Sequence, residues 1–397
     1  MTNTITGKRD SRIDVFRALA LLTIFINHVP GTIYENFTHK NLGFSDATEA
    51  FVLISGMAIA LAYGNKFISG NRLLLSIKMW RRAGVLYVSH MMTTMVTIAI
   101  FAGAAILFSR PEFLNQINIG PLMEKPAEAM TGLVILGHQL GYNNILSMYG
   151  VLLLMTPALL LLARVGLPFL LAVSGAVWLA AGVFHIAPSN FPNDGVWFLN
   201  PFSWQFLFAI GIAGTIHVRN GGEIPVRGWM IALAAGYLLL ALVWVRWPLW
   251  GVDISFGLPA VLTGFDKTFL SLPRLLHILS IVYLLAAIPA LANLARTAHD
   301  HPLAILGRHS LPIFIAGTLL SMVAQVMKLV NPGGFWDDTL LIAAGIVAQF
   351  AFAYYLEWLS AMKQKARTNA APVTAQPVKV KLEPKAEPKP KPAFGTV

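Results

Sequence analysis

Cysteine is absent from the 397 residues. That excludes a disulfide framework, a thiolate metal site and any cysteine acyl-enzyme. Charge is scarce as well. Asp, Glu, Lys and Arg make up 12% of the chain, about half the share usual in globular domains, so a soluble enzyme is not expected. No secretory signal peptide is expected, because the first apolar segment carries Arg17 and has no small-x-small cleavage pattern behind it. No internal repeat is evident, which weakens a transporter reading without removing it. The histidines other than His28 and His309 show no spacing of metal-ligand type. What the chain does have is apolar bulk: 56% hydrophobic residues and a mean hydropathy of +0.65. The expected class is an all-α, polytopic integral membrane protein.

Ten candidate spans can be drawn, at about 14–34, 46–64, 84–108, 144–164, 166–184, 200–218, 228–247, 274–295, 309–330 and 338–359. Residues 127–141 form a shorter apolar stretch, read as an interfacial or re-entrant helix. With the N-terminus in the cytosol, most of the 29 Lys and Arg residues fall on the inner side, which sends both termini there. The net charge of +11 thus reads as membrane topology, not as affinity for nucleic acid. Three parts follow: a cytosolic segment 1–13, a transmembrane domain 14–360, and a Lys-, Pro-, Ala- and Glu-rich tail 361–397. The tail has almost nothing apolar to bury and is expected to be disordered.

The residues with chemistry begin at Arg12-x-Asp14-x-x-Arg17, followed by ten mostly apolar residues and His28. Eleven steps of about 100° bring Arg17 and His28 to one helix face, roughly 16 Å apart. Asp14 can pair with Arg17 at i, i+3. Ionisable groups are costly in lipid and tend to mark a site, although a structural ion pair and a packing histidine would look the same. The second span begins Asp46-Ala-Thr-Glu49 and enters from the other side, so Glu49 is expected near the depth of His28. A carboxylate there can orient an imidazole for general-base work; the alternative is a helix-start acid favoured by the dipole. At the inner face Arg12, Arg17, Arg72, Lys78, Arg81, Arg82 and Arg308 are available as a clamp for phosphates, although positive-inside signalling accounts for most of them. Ser55-Gly56 can bring two helices close together. Loops 185–199 and 247–273 place Trp197, Trp247, Trp250 and Phe256 beside Asn and Asp residues, a combination that suits sugar rings as well as interfacial anchoring.

These segments resemble a known family. Arg12-x-Asp14, Arg17 and His28 are similar to the first-helix signature of the acyltransferase-3 membrane acyltransferases. Phe51-Val-Leu-Ile-Ser-Gly56, Trp80-Arg-Arg82 and Leu306-Gly-Arg-His-Ser310 resemble its later motifs in the same order. Asn27-His28, Glu49 through Gly56 and Leu306 through Phe314 most resemble the OpgC branch, over about residues 9–360. The resemblance implies ten helices in the bacterial inner membrane. It also implies transfer of an acyl group, succinyl in that branch, from cytosolic acyl-CoA to hydroxyls of periplasmic glucans. His28 would be the catalytic residue and Arg17 essential, with Arg12, Arg81, Arg82 and Arg308 near the CoA. Ala83-Gly-Val85 departs from the fuller basic motif of the wider family, which puts the phosphate clamp in doubt.

The resulting expectation is an acyl-CoA-dependent O-acyltransferase with no tightly bound cofactor and no metal, acyl-CoA serving as co-substrate. Its partners would be the glucan acceptor, the bilayer, and either a second copy or the glucan-synthesis machinery. The rivals are a transporter of an organic anion or acyl precursor, using the same Arg and His, and a structural subunit of a glucan-synthesis complex.

Overall fold

The computed structural model describes residues 10–253 and 255–370. It is an all-α membrane protein. Helices occur at all ten expected positions: α1 (Ser11–Asn27), α2 (Ala47–Ile59, prolonged through a π turn at Ala60–Gly64 to Ser69), α3 (Arg72–Leu107), α4 (Asn144–Val165), α5 (Leu167–Val183), α6 (Pro201–Arg219), α7 (Gly228–Arg246), α8 (Leu272–Ala287), α9 (Ser310–Val330) and α10 (Phe335–Ala370). Seven of these are long and apolar enough to cross a membrane by length and composition, and α5 and α8 are shorter apolar helices. α1 is 17 residues long. The described residues up to Tyr355 form one compact unit. The second unit begins at Leu356, and its described part is the end of α10.

Several boundaries differ from the sequence reading, α8 ending at Ala287 instead of 295 among them, and three of the differences have a clear local reason. α1 ends at Asn27, with His28 as its cap, instead of running to residue 34. Pro30 biases Val29 away from the helical region, and Gly31 then turns with φ +82°. α3 starts at Arg72, well before residue 84, because the Asn71 side chain accepts from Leu74 N and caps it. No Gly or Pro interrupts residues 72–83; their charge had suggested a loop. α10 continues to Ala370 through Ala-Met-Lys-Gln-Lys-Ala, all good helix formers. The expected disordered tail therefore has helix over 361–370, and its remainder, 371–397, lies outside the described residues, as do 1–9. Residues 127–141 contain the short helix Pro126–Val134 and then a turn.

The largest apolar cluster centres on α6, whose Trp204, Leu207, Phe208 and Ile212 are fully buried among α2, α4 and α5. α2 and α6 cross at a reciprocal pair of glycines. A Cβ on Gly56 would lie 2.2 Å from Phe208 O, and one on Gly211 would lie 2.4 Å from Leu53 O. The close approach expected at Ser55-Gly56 is thus present, with its partner identified. By contrast α7 buries only Ala234, Ala241 and Trp244, leaving an apolar surface that water would disfavour and lipid would not.

Candidate active site

The N-terminal end of α1 is tied down by polar contacts. The Asp10 side chain accepts from Arg12 N at 3.0 Å and caps the helix. The Arg12 guanidinium forks onto the same carboxylate, through Nε at 3.0 Å and Nη2 at 2.6 Å, and its hydrogen bond holds the Asp10 carboxyl below its ordinary pKa. Ser11 Oγ donates to Thr297 O at 2.7 Å. Arg17 Nη1 meets Asp14 Oδ1 at 3.1 Å, both side chains being buried. The short helix Pro302–Arg308 packs here, against the backbone of Asp14: a Cβ on Gly307 would stand 1.8 Å from Asp14 O. The Leu306-Gly307 pair is therefore a contact point for the helix that carries Arg17. Arg308 Nη2 donates to His299 O at 2.6 Å. Arg81 and Arg82 are exposed on the first turns of α3. The cations assigned to phosphate are thus held in different ways: Arg12 on Asp10, Arg308 on a backbone carbonyl, and the α3 pair at the surface.

His28 closes the other end of α1. Its N–H donates to Ile24 O at 3.0 Å. Its carbonyl, one of the orphan acceptors at a helix end, accepts from Gln325 Nε2 of α9 at 2.7 Å. The imidazole stacks on Tyr142, with centroids 4.1 Å apart and planes at 14°. Its Nδ1 is buried with no hydrogen-bond partner. Tyr142 is delivered by the turn before α4. There Gly141 adopts φ +49° and donates to Ile117 O at 3.1 Å. Buried Asn143 is clasped by α3, its carbonyl accepting from His90 Nδ1 at 3.2 Å and its amide donating to Thr97 Oγ1 at 3.3 Å.

Beside this stack lies a cavity of about 130 Å³. Ile24, Asn27 and His28 are its α1 wall, Tyr142 and Asn144 come from the start of α4, and Lys40, Asp46, Thr48, Phe198 and Lys267 complete it. Arg17 is not in its lining. The helix face predicted for Arg17 and His28 does not line one cavity: Arg17 sits in a buried ion pair and His28 at a small polar cavity.

Glu49 is fully buried near the cavity, but it does not orient His28. Its Oε2 accepts from Asp46 N at 2.9 Å, and the Asp46 side chain accepts from Thr48 N at 2.7 Å, forming a capping box. Its Oε1 takes Arg274, through Nη2 at 2.5 Å and Nε at 2.8 Å. Arg274 lies in the first turn of α8, where the helix dipole disfavours a cation, so these carboxylates compensate its position. It also reaches Asp46 Oδ2 at 3.5 Å. Lys267 Nζ contacts the same oxygen at 2.5 Å and Thr48 Oγ1 at 3.2 Å. Lys267, Asp46, Arg274 and Glu49 form one charge-balanced chain, with Lys267 at its cavity end. Lys40, also on the cavity wall, pairs with Glu35 at 2.8 Å.

Tyr142, Lys267, Arg274 and Phe198 receive no site role from the sequence, although Lys267 is among the polar residues of loop 247–273. The readable hints were the polar Tyr142-Asn-Asn144 break after an apolar stretch, and two cations, Lys267 just before the eighth helix and Arg274 in its first turn. Of the aromatics proposed for sugar, Trp247, Trp250 and Phe256 are exposed, whereas Trp197 is buried. No group of three His, Asp or Glu side chains suited to a metal occurs among the described residues.

The fold and the site define a polytopic membrane protein with an imidazole-walled polar cavity at one end of its helices. Residues 9–361 match the family model described as OpgC protein, and the chain belongs to the OpgC family. That membership supports a glucan-modifying, acyltransferase-type role. No curated protein matches the chain.

Proposed function

We propose that the protein is an inner-membrane O-acyltransferase. It would move an acyl group, succinyl by family resemblance, from cytosolic acyl-CoA to a hydroxyl of a periplasmic glucan, with both of its own termini in the cytosol. The observation that carries this reading is the His28 imidazole: stacked on Tyr142, facing a polar cavity, and with a ring nitrogen that no protein group occupies. A neutral imidazole has one nitrogen lone pair free to accept a proton. His28 removes the proton from the acceptor hydroxyl as its oxygen attacks the thioester carbonyl. The tetrahedral intermediate collapses, the C–S bond breaks, and the CoA thiolate takes the proton from the imidazolium. An ester and free CoA result, with His28 restored. Arg81 and Arg82, exposed on α3, would suit the CoA phosphates. Arg17, held by Asp14, is a positioning residue for α1.

The test is reconstitution in liposomes with labelled succinyl-CoA or acetyl-CoA and a linear or cyclic glucan, followed by mass analysis of the product. Wild type should add the acyl group and release one CoA for each ester formed. His28→Ala should lose transfer while remaining folded in the membrane. Wild-type transfer rates in His28→Ala would refute the assignment, and anion flux without CoA release would favour a transporter.

A further inference from the structure

We propose that Lys267 is a specificity-determining residue, its ammonium pairing with the free carboxylate at the far end of the acyl group in the His28 cavity. The inference rests on the transferase reading of the His28 cavity and assigns a residue to its donor specificity.

Lys267 lies on the cavity wall with His28, and its side chain is 22% exposed, within reach of a small ligand. An ammonium has three N–H donors. Asp46 and Thr48 take two of them, leaving one for a group in the cavity. The ammonium also lies 5.6 Å from the centroid of the Phe198 ring, which narrows its freedom further. Its backbone is equally fixed. Lys267 O accepts from Trp204 Nε1 at 3.1 Å and from Leu270 N at 3.2 Å. The next residues are anchored too, Trp178 Nε1 donating to Leu270 O at 2.9 Å. A lysine serving only as a solvated surface charge needs no such clamp.

The surrounding charge permits an anion. Asp46 and Glu49 are matched by Lys267 and Arg274, so an incoming carboxylate meets no uncompensated acid in this chain. Lys40 adds a second ammonium to the wall, paired with Glu35 away from the cavity lining. A neutral acyl group of the same length would displace water from the remaining Lys267 donor without replacing its hydrogen bond, and a site built this way discriminates by charge.

The experiment compares succinyl-CoA with butyryl-CoA, which replaces the carboxylate by a methyl group. For wild type, Lys267→Met, Lys267→Gln and Lys267→Arg, the ratio of kcat/KM for the two donors is measured with one glucan acceptor in proteoliposomes. Wild type should prefer succinyl-CoA. Both neutral variants should lower the ratio roughly ten- to a hundredfold, the worth of a charged hydrogen bond, and Lys267→Arg should restore most of it. An unchanged ratio in either neutral variant overturns the assignment, even if both rates fall. Equilibrium binding of the two CoA esters separates this from the broader reading. Charge-selective binding lost in Lys267→Met, without any transfer by wild type, would sustain Lys267 and overturn the transferase function. Equal binding of both esters by wild type would overturn Lys267.

Discussion

Arg274→Met removes the cation from a carboxylate with no exposed surface. Glu49 is 0% exposed; Arg274 Nε donates to its Oε1 at 2.8 Å, and Arg274 Nη2 forms an ion pair with the same oxygen at 2.5 Å. Its remaining partner is the Asp46 backbone N–H on Oε2. Breaking a buried pair from one side costs about 3–5 kcal/mol, because the other charge stays buried without compensation. Met keeps most of the side-chain length, so the loss is of charge more than of volume. Adding Glu49→Gln in the same chain removes the stranded charge, and the double variant should recover to within about 2 kcal/mol of wild type. The assay is reversible unfolding in mixed micelles, followed by helix content, for wild type, both single variants and the double. A strong positive coupling is the expected outcome. Additive single effects, or Arg274→Met within about 1 kcal/mol of wild type, would show that the pair is not what fixes the start of α8 against α2.

Three further outcomes are expected. Gly307→Ala puts a methyl group 1.8 Å from Asp14 O; it should cost about 1–3 kcal/mol by overpacking and reduce transfer by displacing α1, read from thermal unfolding alongside product formation. Tyr142→Phe retains the ring that stacks on His28 and should keep near-normal transfer, whereas Tyr142→Ala should lose up to about tenfold, the worth of one stacked pair; equal rates for the two variants would detach the stack from activity. Gly211→Val drives a side chain into Leu53 O of α2 and should reduce the yield of monodisperse protein on size exclusion more than Gly236→Val, since a Cβ at Gly236 meets nothing within 4 Å.

The ten helices are legible because each coincides with an apolar run, seven of them long enough to cross a membrane, and in lipid a helix satisfies its own backbone polar groups. Their ends were less so. The dipeptide Pro30-Gly31 marks the true end of α1, yet the apolar residues around it extended the apparent span. The cations of residues 72–83 looked like a loop, although a helix start needs only a cap such as Asn71 and freedom from breakers. His28 was identifiable as an ionisable group in an apolar helix, and it does face the cavity. Its surroundings were not legible. Tyr142, Phe198 and Lys267 reach it from segments more than a hundred residues away, and no periodicity encodes contacts of that kind. Glu49 shows the limit of a depth argument, which places a side chain at a level without giving its direction. The spacing Asp46-x-x-Glu49 is itself a capping-box signature, and that local signal describes where the carboxylate goes.

The most direct measurement is a structure of the protein bound to an unreactive thioether analogue of succinyl-CoA in lipid nanodiscs. The carbon that stands for the thioester carbonyl should lie about 3–3.5 Å from the point where an acceptor oxygen hydrogen-bonded to the His28 ring would sit, inside the cavity bounded by Tyr142 and Lys267, with the nucleotide at the Arg81 end. An acyl group bound elsewhere, with His28 still stacked on Tyr142 and touching no part of the ligand, would contradict the account.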